Sequence, residues 1–312
     1  MSFILVESRI NAAAENSIIS DFCAMAERQN AQIIGLSQSR KLFYTDFCEE
    51  FSYNSNAIEG NRVTLPETFE ILRKNVTVSN KPLKDQMEVV GHAKAFDYLV
   101  DVATNEKMPL SKELMLTVHK MILEENDPIA GRFRGFGEDV GVRDTSTGKV
   151  YHRGINPLAL HENLDGIIEN YNDLSKDKSI NKIALLAGFH LCFEMIHPFL
   201  DGNGRTGRLL VNFELIKHGY LPIDVKFTER PLYYAAFEKP DDYTRMTELF
   251  ARSMLSSIAM YRQLHEKFIS GRGDEPPIYQ ADTVKSSEFA KIEKINQPSG
   301  DATMSNAPRI RR

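Results

Sequence analysis

His197-Pro198-Phe199-Leu200-Asp201-Gly202-Asn203-Gly204-Arg205-Thr206-Gly207-Arg208 puts an imidazole, a carboxylate, a glycine-rich turn and two guanidinium groups in one short stretch. Asn203 and Gly204 suit the start of a helix that runs on through Leu209. The first turn of a helix has unpaired N–H groups and partial positive charge, so it attracts anions. Gly202 and Gly204 permit unusual backbone angles and close approach of a phosphate. Arg205 and Arg208, three positions apart, share one face of that first turn and can grip successive phosphates as forks. Asp201 stands just before the loop, where a carboxylate beside phosphates holds Mg²⁺ (or Mn²⁺). His197 titrates near neutrality and can take a proton from an attacking hydroxyl. Phe199 reads as core. Each feature alone has an ordinary explanation: a helix-end histidine, a plain turn, a solvated arginine face. Their conjunction points to polyphosphate chemistry. No Lys-Ser or Lys-Thr follows the glycines, so this is not a Walker A loop, nor is it the kinase glycine loop.

The flanks are helical. Ile183 to Ile196 is apolar on nearly all sides and predicts a buried helix leading into the motif. Leu209 to Lys217 continues after it and stops at Gly219, with Pro222 beyond. Upstream, Ile10–Leu36 and Leu42–Ile58 carry helical periodicity, the second ending at Gly60. Thr64 and Glu67 have the spacing of a capping box. Val76 to Pro82 is a polar connector. Gln86–Ala103 is amphipathic through Val89, Val90, Ala93, Phe96, Tyr98 and Leu99, and Leu114–Leu123 is helical again. One region breaks the pattern. Val140–Arg143 and Lys149–His152 flank Ser146-Thr147-Gly148 and predict a β-hairpin. A last helix spans about Asp242 to Phe268, and the polar tail from Gly271 reads as flexible or only locally ordered. The fold class is therefore mainly α with one short β-hairpin. His92, His119, His190, His218 and His265 fall in helical patterns as core or surface residues, while His161 and His152 read as loop or flap.

The 312 residues are 42% hydrophobic and 26% charged, an ordinary soluble composition. A net charge of -5 argues against bulk binding of nucleic acid. Cys23, Cys48 and Cys192 lack paired spacing and read as reduced, buried thiols. With no secretory signal and no membrane-length apolar run, a cytoplasmic location is the expectation.

The motif matches, without departure, the signature H-x-F-x-(D/E)-G-N-G-R-x-x-R, and the chain on these residues resembles the Fic family. The resemblance extends through Phe193-Glu194-Met195-Ile196, Leu209-Leu210 and Gly131-Arg132-Phe133-Arg134. It implies a helical Fic-fold bundle with a hairpin flap, organised as a helical extension over 1–85, a catalytic core over 86–261 and a helix end and tail over 262–312. It also implies AMP transfer from ATP to a Ser, Thr or Tyr hydroxyl of a target protein or of the chain itself. On that resemblance His197 is the general base, Asp201 the metal ligand, and Gly202, Asn203 and Gly204 the anion cradle. Arg205 holds the inner phosphates and Arg208 the γ-phosphate. Tyr233 and Tyr234 resemble a pair that packs on adenine, and the hairpin aligns a target segment by strand addition. Several relatives self-associate, which extends the expectation to a homodimer.

Ser55-Asn56-Ala57-Ile58-Glu59-Gly60 resembles the family's inhibitory pattern (S/T)-x-x-x-E-(G/N). The implied role is that Glu59 pairs with Arg208, removing the guanidinium meant for the γ-phosphate and misaligning ATP. The residues leave other readings open. These are removal of AMP with Glu59 as base, transfer of another phosphate-containing group, and a nucleotide sensor without catalysis. A nucleic-acid regulator is the weakest, because the segment after Ser270 is short and polar.

Overall fold

The computed structural model describes residues 5–33, 37–106, 108–123, 127–144 and 146–269. The tail from Gly271 lies outside them. Eleven α-helices run in order among the described residues. They are α1 (Glu7–Glu15), α2 (Ser17–Ile33), α3 (Ser37–Ile58), α4 (Leu65–Lys74), α5 (Leu83–Asp101), α6 (Lys112–Ile122), α7 (Leu160–Leu174), α8 (Lys182–Ile196), α9 (Asn203–Lys217), α10 (Arg230–Ala236) and α11 (Thr244–Ile269). Strands β1 (Gly141–Arg143) and β2 (Val150–Arg153) lie between α6 and α7.

α8 is the centre because its sequence gives it no polar face to show to water. Every residue from Ile183 to Ile196 is buried. α7, α9, α11 and α1 surround it. On the other side, α5 packs on α3, α6 and α9. Phe43, Phe47, Phe51 and Phe96 fill the space between α3 and α5 as a run of ring contacts with centroids 5.4 to 5.7 Å apart. Burying such rings drives the packing of the N-terminal helices onto the rest of the chain. Cys23, Cys48 and Cys192 are free and buried, as read from their spacing. Among the described residues no helix is long and apolar enough to cross a membrane.

The hairpin forms where the sequence placed it. Gly141 pairs with Arg153 and Val142 with His152, and the register shifts between Val142 and Arg143. Gly60 takes φ 96° after α3, and the Glu67 carboxylate accepts from the N–H and hydroxyl of Thr64 at the start of α4.

Three readings change. Ile10–Leu36 is not one helix, because the backbone turns out of helical geometry at Asn16 (ψ 122°), whose side chain accepts from the N–H of Ile18. Such local side-chain bonds let Asn end a helix. His161 is not in a loop but on α7. The signal was present, since Leu160, Leu164, Ile167, Ile168 and Tyr171 are buried at helical spacing. Arg230–Ala236 is also helical, with Pro231 in its first turn.

α5 and α6 approach at Gly91. A Cβ there would lie 2.3 Å from the carbonyl oxygen of Met121. Backbone cannot yield cheaply, so Gly91→Ala should destabilise the protein by about 1–3 kcal/mol. Thermal unfolding should then show a Tm lowered by a few degrees relative to wild type.

Candidate functional site

α8 ends because His197 adopts a left-handed conformation (φ 52°), rare for a residue with a side chain. Arg134 holds it there. Its Nε donates to the carbonyl of His197 at 2.7 Å, Nη2 to that of Ile196 at 3.2 Å, and its own N–H to that of Pro198 at 2.9 Å. The same guanidinium donates to the carbonyls of Glu138 and Ile155 on the two sides of the hairpin base. The turn is closed by Asn203, whose side chain accepts from the N–H of Phe199 and donates to its carbonyl at 2.9 and 2.8 Å. Gly202 then takes φ 78° and α9 begins.

The His197 ring has a defined tautomer. Nδ1 faces the carbonyl of Glu194 at 3.2 Å, and a carbonyl only accepts, so Nδ1 bears the hydrogen and Nε2 keeps its lone pair. Burial pushes the imidazole down to about 4, with the nearby Arg134 and His152 acting in the same direction. The ring is therefore neutral at physiological pH, with the Nε2 lone pair available to accept a proton.

His119, read from sequence only as core or surface, fixes this loop from behind. Its Nε2 donates to the carbonyl of Asp201 at 2.9 Å, and its Nδ1 accepts from Gly131 at 3.0 Å. The ring stacks on Phe199 at 3.8 Å, and Phe199 is fully buried as expected. Burial pushes His119 down to about 4 as well. Only the structure singles it out, because nothing in its spacing does. Glu194 is the second omission as an individual site residue. It is buried, faces the cleft, has one carboxylate oxygen without a partner, and is pushed up to about 8 by burial, with Glu59 adding to the rise. The available signal was a lone acid inside the apolar run Ile183–Ile196.

Both arginines of the motif are buried and paired. Arg205 contacts Glu88 and Asp201 at 3.2 Å each and Asn56 at 3.5 Å. Arg208 donates through Nε to the Ser55 hydroxyl at 3.0 Å and through Nη2 to the Ser55 carbonyl and the Glu59 carboxylate, both at 2.8 Å. Its Nη1 donates to the Tyr233 hydroxyl at 3.0 Å. Burial alone would lower the Arg208 pKa, but Tyr233 and Glu59 hold it above its ordinary value. Glu59 also lies against the first turn of α9, where a Cβ on Gly204 would be 2.1 Å from its Oε1. A side-chain carboxylate thus stands at the anion-attracting end of the helix.

In front of them lies an open cleft of about 170 Å³. His197, Asp201 and Glu59 face it together with Gly202, Asn203 and Gly204. Tyr233 and Tyr234 form one wall and the hairpin the other, with Tyr151 stacked on Tyr234 at 5.7 Å. Tyr233 is buried and also hydrogen-bonds His190 at 2.8 Å, so its hydroxyl serves the protein. The Asp201 side chain is 48% exposed, and its Oδ1 accepts from Gly202 at 2.6 Å. The described residues contain no cluster of three or more acids, histidines or cysteines able to hold a metal unaided. A hard cation at Asp201 would have to share oxygens with a ligand, which suits Mg²⁺ beside phosphates.

Residues 109–215 match the Fic/DOC family. The protein adenylyltransferase Fic of Nematostella vectensis is 31% identical over 228 residues, covering 69% of this chain and 50% of that protein. The protein adenylyltransferase fic-1 of Caenorhabditis elegans is 31% identical over 191 residues, 60% of this chain and 35% of its own. The chain thus spans about half or less of these curated relatives. A Fic domain containing signaling protein from Bacteroides thetaiotaomicron shares the fold with a TM-score of 0.70 at 24% identity, covering 82% of this chain and 99% of that one. Fic-1 from C. elegans does so with a TM-score of 0.67 at 24% identity, covering 81% and 74%.

His119, His190 and His197 are held neutral at about 4, 3 and 4 by burial. The unfolded chain binds protons on these rings below about 6.5, and the folded chain does not. Their contribution to stability is present above pH 6.5 and lost as pH falls towards 4. NMR of ring-labelled protein should show His197 neutral at pH 5.5. Urea unfolding should show stability falling between pH 6.5 and 4.5, less so in His190→Gln.

Proposed function

We propose that the chain, whose residues 109–215 match the Fic/DOC family, is a protein adenylyltransferase held in check by its own Glu59. The observation that carries this reading is the cleft itself. It joins a neutral imidazole with a free Nε2 to the open end of α9, within reach of one small ligand. A hydroxyl of a target Ser, Thr or Tyr gives its proton to Nε2 of His197 while its oxygen bonds to the α-phosphorus of ATP. The bond from that phosphorus to the bridging oxygen breaks, and pyrophosphate leaves. The amides of Gly202, Asn203 and Gly204 receive phosphate oxygens at the helix end. Asp201 would hold Mg²⁺ or Mn²⁺, which when bound neutralises charge on the phosphates. Arg205 and Arg208 add fixed positive charge, and Tyr233 and Tyr234 offer the aromatic wall for adenine. The two-stranded hairpin offers an edge to an extended target segment, which positions the attacking oxygen.

The brake follows from the pairing of Arg208. Each of its three nitrogens is engaged by Ser55, Glu59 or Tyr233, so a γ-phosphate must compete with Glu59 to reach it. A second activity is favoured by one observation, the position of Glu59 in the same cleft as His197. A carboxylate there can take a proton from water that attacks an AMP-bearing target.

Wild type, Glu59→Gly and Glu59→Gly/His197→Ala should be incubated with Mg²⁺ and ATP labelled at either the α- or the γ-phosphate. Protein in Glu59→Gly should take up α-label at least about tenfold faster than wild type. Loss of His197 should cost about 10²–10⁴ of that rate. Label arriving only from the γ-phosphate would replace AMP transfer with phosphoryl transfer, and equal labelling of wild type and Glu59→Gly would remove the brake. With AMP-bearing protein as substrate, Glu59→Gln should lose AMP release, and persistence of release would exclude Glu59 as its base.

A further inference from the structure

Arg230 opens α10 and is buried, yet its guanidinium touches three parts of the molecule that differ in role. Its Nε donates at 2.8 Å to the carbonyl of Ile58, the residue before Glu59 at the end of α3. Its Nη1 lies 2.5 Å from Oδ1 of Asp144 and donates to the Ser146 hydroxyl at 2.6 Å, both in the turn of the hairpin. Its Cζ stands 4.8 Å over the ring of Tyr234 in the cleft wall. The Ile58 carbonyl is one of those that a helix end leaves unpaired, and a cation there also matches the helix dipole. Asp144 organises its own turn, since its Oδ1 accepts from the N–H and the hydroxyl of Ser146 at 2.8 and 2.7 Å. One planar group therefore satisfies both the end of the brake helix and the tip of the hairpin. Its fork is rigid, so it cannot follow one partner and keep its geometry with the other.

We propose that Arg230 is a positioning residue that couples the seating of the hairpin to the end of the helix carrying Glu59, so that a target segment docking on the hairpin loosens the brake. The regulatory half of this inference rests on the reading of Glu59 as a brake. The coupling itself rests on the geometry of Arg230. A target strand that shifts Asp144 and Ser146 draws the guanidinium away from Ile58, and the last turn of α3 loses its cap. Target and nucleotide then reach the site together, because the segment that needs AMP also helps to free Arg208.

The hairpin has a second tether that provides a control. Lys149 pairs with Glu238 at 2.8 Å without contacting α3. Hydrogen exchange should be followed at the amides of Glu59, Gly60 and Asn61, which bond back to Asn56, Ala57 and Asn56. The measurement is made on the whole protein without nucleotide, in wild type, Asp144→Asn, Arg230→Lys and Glu238→Gln. Asp144→Asn and Arg230→Lys should raise exchange at these amides at least about fivefold, in keeping with weakening of one charge-assisted hydrogen bond. Glu238→Gln should leave it within about twofold. No rise in Asp144→Asn overturns the coupling, and so does an equal rise in Glu238→Gln, which would mean that any loosening of the hairpin suffices. AMP transfer is then compared in Asp144→Asn and Glu59→Gly. Raised exchange with raised transfer in Asp144→Asn, and no further gain when Glu59→Gly is added, supports the regulatory half. Raised exchange with no transfer in any variant, Glu59→Gly included, leaves the coupling standing and refutes the enzymatic reading instead.

Discussion

A buried guanidinium needs partners, and Arg208 obtains them from two segments remote from its own helix. Removing one partner of such a buried charge costs about 3–5 kcal/mol, because the charge that remains is left uncompensated. Ser55 comes from α3, Glu59 from the residue just past its end and Tyr233 from α10, while Arg208 itself belongs to α9. The requirement to satisfy one cation therefore fixes the relative placement of the N-terminal segment, the motif helix and the wall of the cleft. One nitrogen of Arg208 is shared between the Ser55 carbonyl and the Glu59 carboxylate.

The opposite end of the motif is held by different means. Arg134 binds carbonyls on both sides of the left-handed His197, and His119 binds the carbonyl of Asp201 while stacking on Phe199. Backbone in an unusual conformation persists only where its surroundings over-determine it. These two side chains serve that purpose, and each also reaches the segment that leads into the hairpin, through Gly131 and Glu138. The turn at His197 and the hairpin are consequently seated on shared supports. His197 keeps one tautomer because Glu194 offers a carbonyl to Nδ1.

The legible part of this site was the part that is contiguous in sequence. His197, Asp201, Gly202, Asn203, Gly204, Arg205 and Arg208 sit together because a helix end, a tight turn and a helix start are local structures. The hairpin was legible for the same reason, being set by Ser146-Thr147-Gly148 between β-branched runs. Helix α7 was legible in principle, since its burial follows helical spacing, whereas the break at Asn16 lies inside a pattern that Ala12–Ala14 and Ile18–Ile19 continue across it. His119, Glu194 as a member of the site, and the triple contact of Arg230 were not legible. Their importance lies in what stands opposite them, at separations of many tens of residues.

The sequence by itself determined a mainly helical chain, a buried helix ending in a glycine-rich turn, and a resemblance that predicted which groups would meet. Local physics suffices for that, since apolar periodicity and glycine placement act within a few residues. Tertiary structure alone decided that Arg208 also engages Ser55 and Tyr233, that His197 is neutral with its Nε2 free, and that Arg230 touches both the hairpin turn and the end of α3. Those properties are set by desolvation and by partners brought from remote helices, and neither exists until the chain has folded.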